Sequence, residues 1–248
     1  MTIEEFSNGF TELINSYAFK PEFGEQRSAY EIVLNEYEKS LFLTQAQEEF
    51  VMALYNGQAI EGKSFEETEQ MRRLLDSLIK TKSCDEYDGT VTDDIVDSTL
   101  RKFYLLPDEV MYITMEQVIY SSSDSCLDGL RVNVKPVTQD EYNIIKDNPF
   151  RGVTKNRALR LDCGVITTGK EPHRIVEVIP KYTIEKYIIR YLEKPEPIVL
   201  ENLTDTDLSI NGVNTITPCK LNPLLHRMIL ERAVLMALRV KGINTESK

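Results

Sequence analysis

The chain has 248 residues, 42% of them hydrophobic and 28% charged, the proportions of a soluble globular protein with room for one sizeable domain or two small ones. Asp and Glu number 40 against 29 Lys and Arg, a net charge of −11, which excludes a surface that coats nucleic acid as a whole. The apolar run Ala233–Leu238 is far short of the roughly 20 residues a membrane span needs, and Glu4 and Glu5 precede any basic residue, which argues against a secretory signal.

The N-terminal third reads as helices. Thr2 and Glu5 are spaced as a capping box, and Ile3, Phe6, Phe10, Leu13, Ile14 and Tyr17 follow at helical spacing. Pro21 and Gly24 break the chain before a second stripe of Tyr30, Val33, Leu34, Tyr37 and Leu41. Thr44 and Gln47 predict another cap, opening a third helix through Phe50 and Leu54 that Asn56-Gly57 stops. Ser64 and Glu67 predict a fourth, with Met71, Leu74, Leu75, Leu78 and Ile79 on one face. Four amphipathic helices on short loops predict a small bundle.

Residues 84–97 are acidic and turn-rich and read as a linker. Beyond them Val110–Tyr120 is rich in β-branched and aromatic residues, and Leu130, Val132 and Val134 alternate with polar neighbours. Thr138 and Glu141 cap a short helix that Asn148-Pro149 ends. Strands follow at 158–161, 174–179 and 187–192, then proline at 195 and 197, a last strand at 198–200 and a tight turn at Asn211-Gly212. Adjacent short strands predict an antiparallel sheet. Asn222 and Pro223 start the last helix and Gly242 stops it. That helix is apolar in nearly every direction and should be buried on most sides, in its own bundle or against another chain. The expectation is an α+β fold: a helical bundle over 1–97, a mostly antiparallel β-rich region over 98–215, and a long C-terminal helix within 216–248.

Histidine and cysteine arithmetic narrows the chemistry. Cys84, Cys126, Cys163 and Cys219 show no metal-ligand spacing, so reduced thiols and no structural metal are expected. His173 falls in a polar stretch, 169–174, that reads as a turn, and His226 lies near the start of the last helix. Neither is flanked by a nucleophile pattern, and no phosphate-cradling glycine loop occurs. The acid clusters Glu66, Glu67, Glu69 and Asp93, Asp94, Asp97 read as solvated faces rather than acid–base or metal sites. No catalytic, cofactor-binding or metal-binding residue is predicted.

The candidate contacts are basic. Arg151, Lys155, Arg157 and Arg160 fall within ten residues that hold no acid. They could meet phosphates or the acidic surface of another subunit; no interleaved aromatics support base stacking, which favours protein. Arg232 and Arg239 lie seven apart on one face of the last helix and are candidate partners for acids of the N-terminal helices or of a neighbour. Residues 1–105 hold 10 basic and 21 acidic side chains, and 106–248 hold 19 of each, so the helical part carries the whole excess.

Several strings bear a resemblance. They are Asn35-Glu36-Tyr37-Glu38-Lys39-Ser40 running into Thr44 to Gly57, Phe65 to Leu75 with Arg72-Arg73, and Asn148-Pro149-Phe150-Arg151-Gly152. Ala158-Leu159-Arg160-Leu161-Asp162, Tyr187 to Leu200, and Cys219-x-Leu221-Asn222-Pro223 leading into Ile229-Leu230-Glu231-Arg232-Ala233-Val234 complete the set. In this order they resemble the neck ring proteins of crAss-like tailed bacteriophages. The resemblance implies a structural virion protein without cofactor, assembled in the host cytoplasm. It implies a ring, in the simplest case of twelve copies, beneath the portal, with the portal protein and other neck or tail rings as partners. Genomic DNA would pass through the lumen without specific binding, and no membrane is implied. A metal-dependent carboxylate hydrolase and a cytosolic regulatory protein absent from the particle are the alternative readings.

Overall fold

The computed structural model describes residues 1–18, 32–58, 69–88, 100–123, 126–168, 171–203 and 208–241. Its elements run α1 (Ile3–Ala18), α2 (Glu36–Tyr55), α3 (Glu69–Leu74), a 3₁₀ turn (Asp76–Leu78), β1 (Ile79–Glu86), β2 (Lys102–Leu105), β3 (Val110–Tyr120), β4 (Arg131–Pro136), α4 (Gln139–Ile145), β5 (Arg157–Thr168), β6 (Glu171–Ile179), β7 (Ile184–Glu193) and α5 (Pro223–Val240). The class is α+β. The chain forms two compact units, one built from residues 1–78 and 195–248, the other from 79–194.

The helical unit opens as expected. The Thr2 amide donates to Glu5 Oε2 at 2.8 Å and the Glu5 amide to Thr2 Oγ1 at 3.2 Å, closing the capping box of α1. Phe6, Phe10 and Ile14 are buried on one face. The second and third predicted helices are one helix, α2. Its cap is Asn35, whose side chain accepts from the Glu38 amide while Glu38 answers the Asn35 amide. Thr44 and Gln47 therefore lie inside a helix and cap nothing. With Ser40 they make a polar row at i, i+4 and i+7 that serves the extended segment 196–200. Thr44 Oγ1 takes the Ile198 amide at 3.1 Å, Ser40 Oγ takes the Leu200 amide at 3.0 Å, and Gln47 Nε2 donates to the Glu196 carbonyl at 2.7 Å. That row answers backbone groups that a strand partner would otherwise satisfy. It also explains why 198–200 makes only a single bridge, Val199 to Thr217, in place of the predicted strand.

Asn56-Gly57 stops α2, with Gly57 at φ 74°. Among the described residues the fourth predicted helix is α3 and the 3₁₀ turn, and it ends before Ile79, which already belongs to β1; its predicted cap at Ser64 and Glu67 lies outside the described residues. Asn211 (φ 50°) and Gly212 (φ 82°) form the expected tight turn between Ile210 and Val213. Asn222 caps α5. The helix packs on α1 and α2 through Leu225, Ile229, Leu230, Ala233, Val234, Ala237 and Leu238, yet Leu224 and Val240 remain 75% and 72% exposed. Within its own chain it is buried along one broad face. Its predicted stop at Gly242 lies outside the described residues.

The second unit is a closed barrel in the order β1-β2-β6-β5-β4-β3-β7. Six of its seven pairings are antiparallel. The exception, β4 with β5, is parallel because α4 carries the chain across between them. Residues 79–86 are the strand that closes the barrel, pairing with β7 from Ile79 to Cys84 and with β2 at Asp85 and Glu86, so the acidic stretch begins inside the sheet and not as a linker. Of the stretch 169–174 predicted as a turn, residues 171–174 are strand, since β5 and β6 pair as a hairpin out to Thr168 and Glu171; residues 169 and 170 lie outside the described residues. Closure leaves the shared part of the sheet without an edge. The interior is filled by Cys84, Tyr104, Val118, Tyr120, Val132, Val176, Tyr187 and Ile189 among others, with the Tyr104 and Tyr187 rings 4.9 Å apart. On the outside, α4 covers Leu159, Leu161 and Ile179 with Tyr142 and Ile145.

Candidate subunit-contact site

The basic cluster divides on the strand pleat. Residues 158 and 160 share one face of β5, and 159 and 161 the other. Ala158 lies in the barrel core, and Arg160 follows it inward, its side chain 14% exposed. Its Nε lies 3.0 Å from Glu116 Oε2, and Tyr187 donates its hydroxyl to the same oxygen at 2.8 Å. Burial raises the Glu116 carboxyl above its ordinary pKa, opposed by the Arg160 charge and the Tyr187 bond. Burial pushes the Tyr187 hydroxyl up as well, with the Glu116 charge adding to it. Cys84, in the same core, is pushed up by burial to about 12 and is an inert thiol. Arg160 is thus engaged inside its own subunit.

Arg151 and Lys155 stand on the surface turn after α4, and Arg157 opens β5. Asn148 organises the turn: its Oδ1 accepts the amides of Phe150 at 2.9 Å and Arg151 at 3.2 Å, and its carbonyl accepts the Gly152 amide at 2.7 Å. A Cβ at 152 would meet three carbonyl oxygens at 2.8–2.9 Å, so only glycine fits. Arg157 Nη1 donates to the Phe150 carbonyl at 2.8 Å and ties the start of β5 to the turn. The result is a hydrogen-bonded turn carrying Arg151 and Lys155, both exposed, with Phe150 83% exposed beside Arg151 and Ile144 of α4 79% exposed nearby in sequence. The cluster reading missed Phe150, whose signal was the Asn-Pro-Phe turn itself, an aromatic with no apolar partner at helix or strand spacing.

The last-helix pair also divides. Arg232 reaches Glu49 of α2 at 3.1 Å and bridges two helices of its own unit. Arg239 is exposed in the last turn of α5. His226 is buried, its Nε2 donating to the Leu221 carbonyl at 2.9 Å and its Nδ1 accepting from the Met1 amino group at 2.8 Å. His173 contacts Asp108 at 3.0 Å. Among the described residues no group of three His, Cys, Asp or Glu side chains could hold a metal ion, and no nucleophile stands beside either histidine. The acid clusters at 66–67 and 93–97 lie outside the described residues.

The sequence profile of the phage tail ring protein 3/4 family matches residues 1–248. The chain belongs to the phage tail ring protein 3/4 family. It is 43% identical over 250 residues to Ring protein 3 of Bacteroides phage crAss001, covering all of both chains. It is 30% identical over 241 residues to Ring protein 4/5 of the same phage, covering 96% of this chain and 92% of that one.

Proposed function

We propose that this chain is a structural, non-enzymatic virion protein that forms a closed ring in the neck between capsid portal and tail, stacked with other ring proteins around the path of the genome. The full-length likeness to Ring protein 3 carries this reading. Subunits of a ring contact head to tail, one surface of each meeting a different surface of the next. The two units differ in charge. The helical unit, by sequence, holds 21 acidic and 12 basic side chains, whereas the barrel unit holds 19 and 17 and carries the acid-free cluster 151–160. We assign Arg151, Lys155 and Arg157 to the contact with a neighbour, and Arg239 to a second contact with a neighbour or the portal.

The barrel interior is packed with side chains, so DNA has no passage through a subunit; the channel is the space that the ring encloses. A lumen lined by part of the acidic excess repels phosphates and lets the duplex slide. Quantitative mass spectrometry of purified particles tests the reading. A copy number matching the portal protein, twelve in the simplest closed ring, supports a ring in register with it. Absence of the chain from the particle overturns the virion role. A cryo-electron map in which the chain lies distal to the tail, or contacts no lumen, overturns the neck position.

A further inference from the structure

The helical unit contains a groove of about 480 Å³. Its apolar wall is Leu41 and Phe42 of α2, Ile210 of the tight turn and Val240 at the end of α5; Glu38 and Glu48 supply two carboxylates, against one amine from Lys241. Leu41 is 41% and Val240 72% exposed, so the wall faces water in the isolated chain. The barrel unit contains the converse, the Phe150 turn with Arg151 and Lys155. An aromatic with an adjacent arginine on a hydrogen-bonded turn is the usual composition of a binding anchor, because little side-chain and backbone freedom is lost on docking.

We propose that the Phe150 turn of one copy seats in this groove of a second copy, with Arg151 and Lys155 facing Glu38 and Glu48. This rests on the ring reading and deepens it by naming the two surfaces that meet. Self-complementarity between different surfaces is what a head-to-tail ring contact requires. Opposite charge at the rim steers the approach, and the apolar centre excludes water. Glu48 is fixed by the Asn211 side-chain amide at 2.8 Å, and Glu38 by the Asn35 amide, so both carboxylates are already oriented.

The test uses purified particles treated with a carbodiimide, which joins amines to carboxylates in direct contact. Dimer-sized products are digested and mapped. The expected result is a link from Lys155 to Glu38 or Glu48. In parallel, phage carrying Phe150→Asp is grown; the variant chain, with an unfolding midpoint unchanged from wild type, enters particles at an occupancy lower by about tenfold or more. Arg151→Glu lowers occupancy in the same direction, and Glu48→Arg on that background restores it. If the wild-type chain is absent from particles, the ring reading fails and the docking with it. If the chain is present, its dimers link elsewhere, and Phe150→Asp enters at the wild-type level, the docking is overturned while the ring stands.

Discussion

The barrel unit and the helical unit solve the same problem by opposite means. The barrel comes from one continuous stretch, 79–194, and its strands satisfy each other's backbones around a closed circle. The helical unit is assembled from two stretches more than a hundred residues apart, and side chains of α2 answer the backbone of the returning segment 196–200. The barrel hides the Arg160–Glu116 ion pair in its core; the helical unit hides hydroxyls and an amide at its seam. The first should be broken by stranding a charge, the second by stranding backbone amides.

The largest effect belongs to the barrel. Glu116→Leu leaves Arg160 buried and unpaired and removes the acceptor of Tyr187, and should cost about 3–5 kcal/mol in urea unfolding. Adding Arg160→Met should recover most of that loss. A double variant no more stable than Glu116→Leu would show that the pair is not the source. At the seam, Thr44→Val strands the Ile198 amide and Ser40→Ala the Leu200 amide, each costing about 1–3 kcal/mol. Hydrogen exchange should localise the loosening to the helical unit and leave barrel amides protected.

This contrast also sets what the sequence could reveal. In α1 the cap and the apolar stripe coincide, so its start was legible to the residue. In α2 the pattern Thr44-x-x-Gln47 imitates a cap because the same side chains that cap helices also satisfy a passing backbone, and the segment they serve lies about 150 residues away. The strands of the barrel showed in alternation, but its closure did not, because β1 is apolar neither by period nor by run and is held as a strand by six partners on β7. The basic cluster was visible as composition. Its division was not read there; it follows from the structure, where the pleat that buries Leu159 and Leu161 under α4 turns Arg160 the other way. The groove had no local signal, because it joins residues 38–48 to 210 and 240.

Acid should act on the two units in opposite directions. His226 is held below its ordinary 6.5, first by burial, with the Met1 amino group adding to it. It binds a proton more readily when unfolded, so its contribution is full above 6.5 and is lost as pH falls through that value toward the folded one. Glu116 is raised above its ordinary 4.5 by burial. It binds its proton more readily when folded, so its contribution is full below 4.5 and is lost as pH rises through the folded value. Stability measured between pH 7 and 4 should fall less steeply in His226→Gln than in wild type, and Glu116→Gln should remove a gain that wild type makes on acidification. Identical slopes in wild type and either variant would contradict the assignment.

The smallest effect separates packing from propensity. Gly9 lies in α1 where α5 crosses it, and a Cβ there would come 3.0 Å from Leu230 Cδ2, with Met1 Cε next at 3.8 Å. Alanine is worth about 1 kcal/mol over glycine in a helix interior, so the contact and the propensity oppose each other. The atom in the way is the end of a leucine side chain, which can turn, rather than backbone. Gly9→Ala should therefore lie within about 1 kcal/mol of wild type, whereas Gly9→Val adds branches that Leu230 cannot clear and should cost about 1–3 kcal/mol. If alanine costs as much as valine, the two helices are locked at this crossing and the approach of α5 to α1 is set by the missing Cβ. If both are neutral, α5 shifts freely along α1, and the helical unit is the looser of the two.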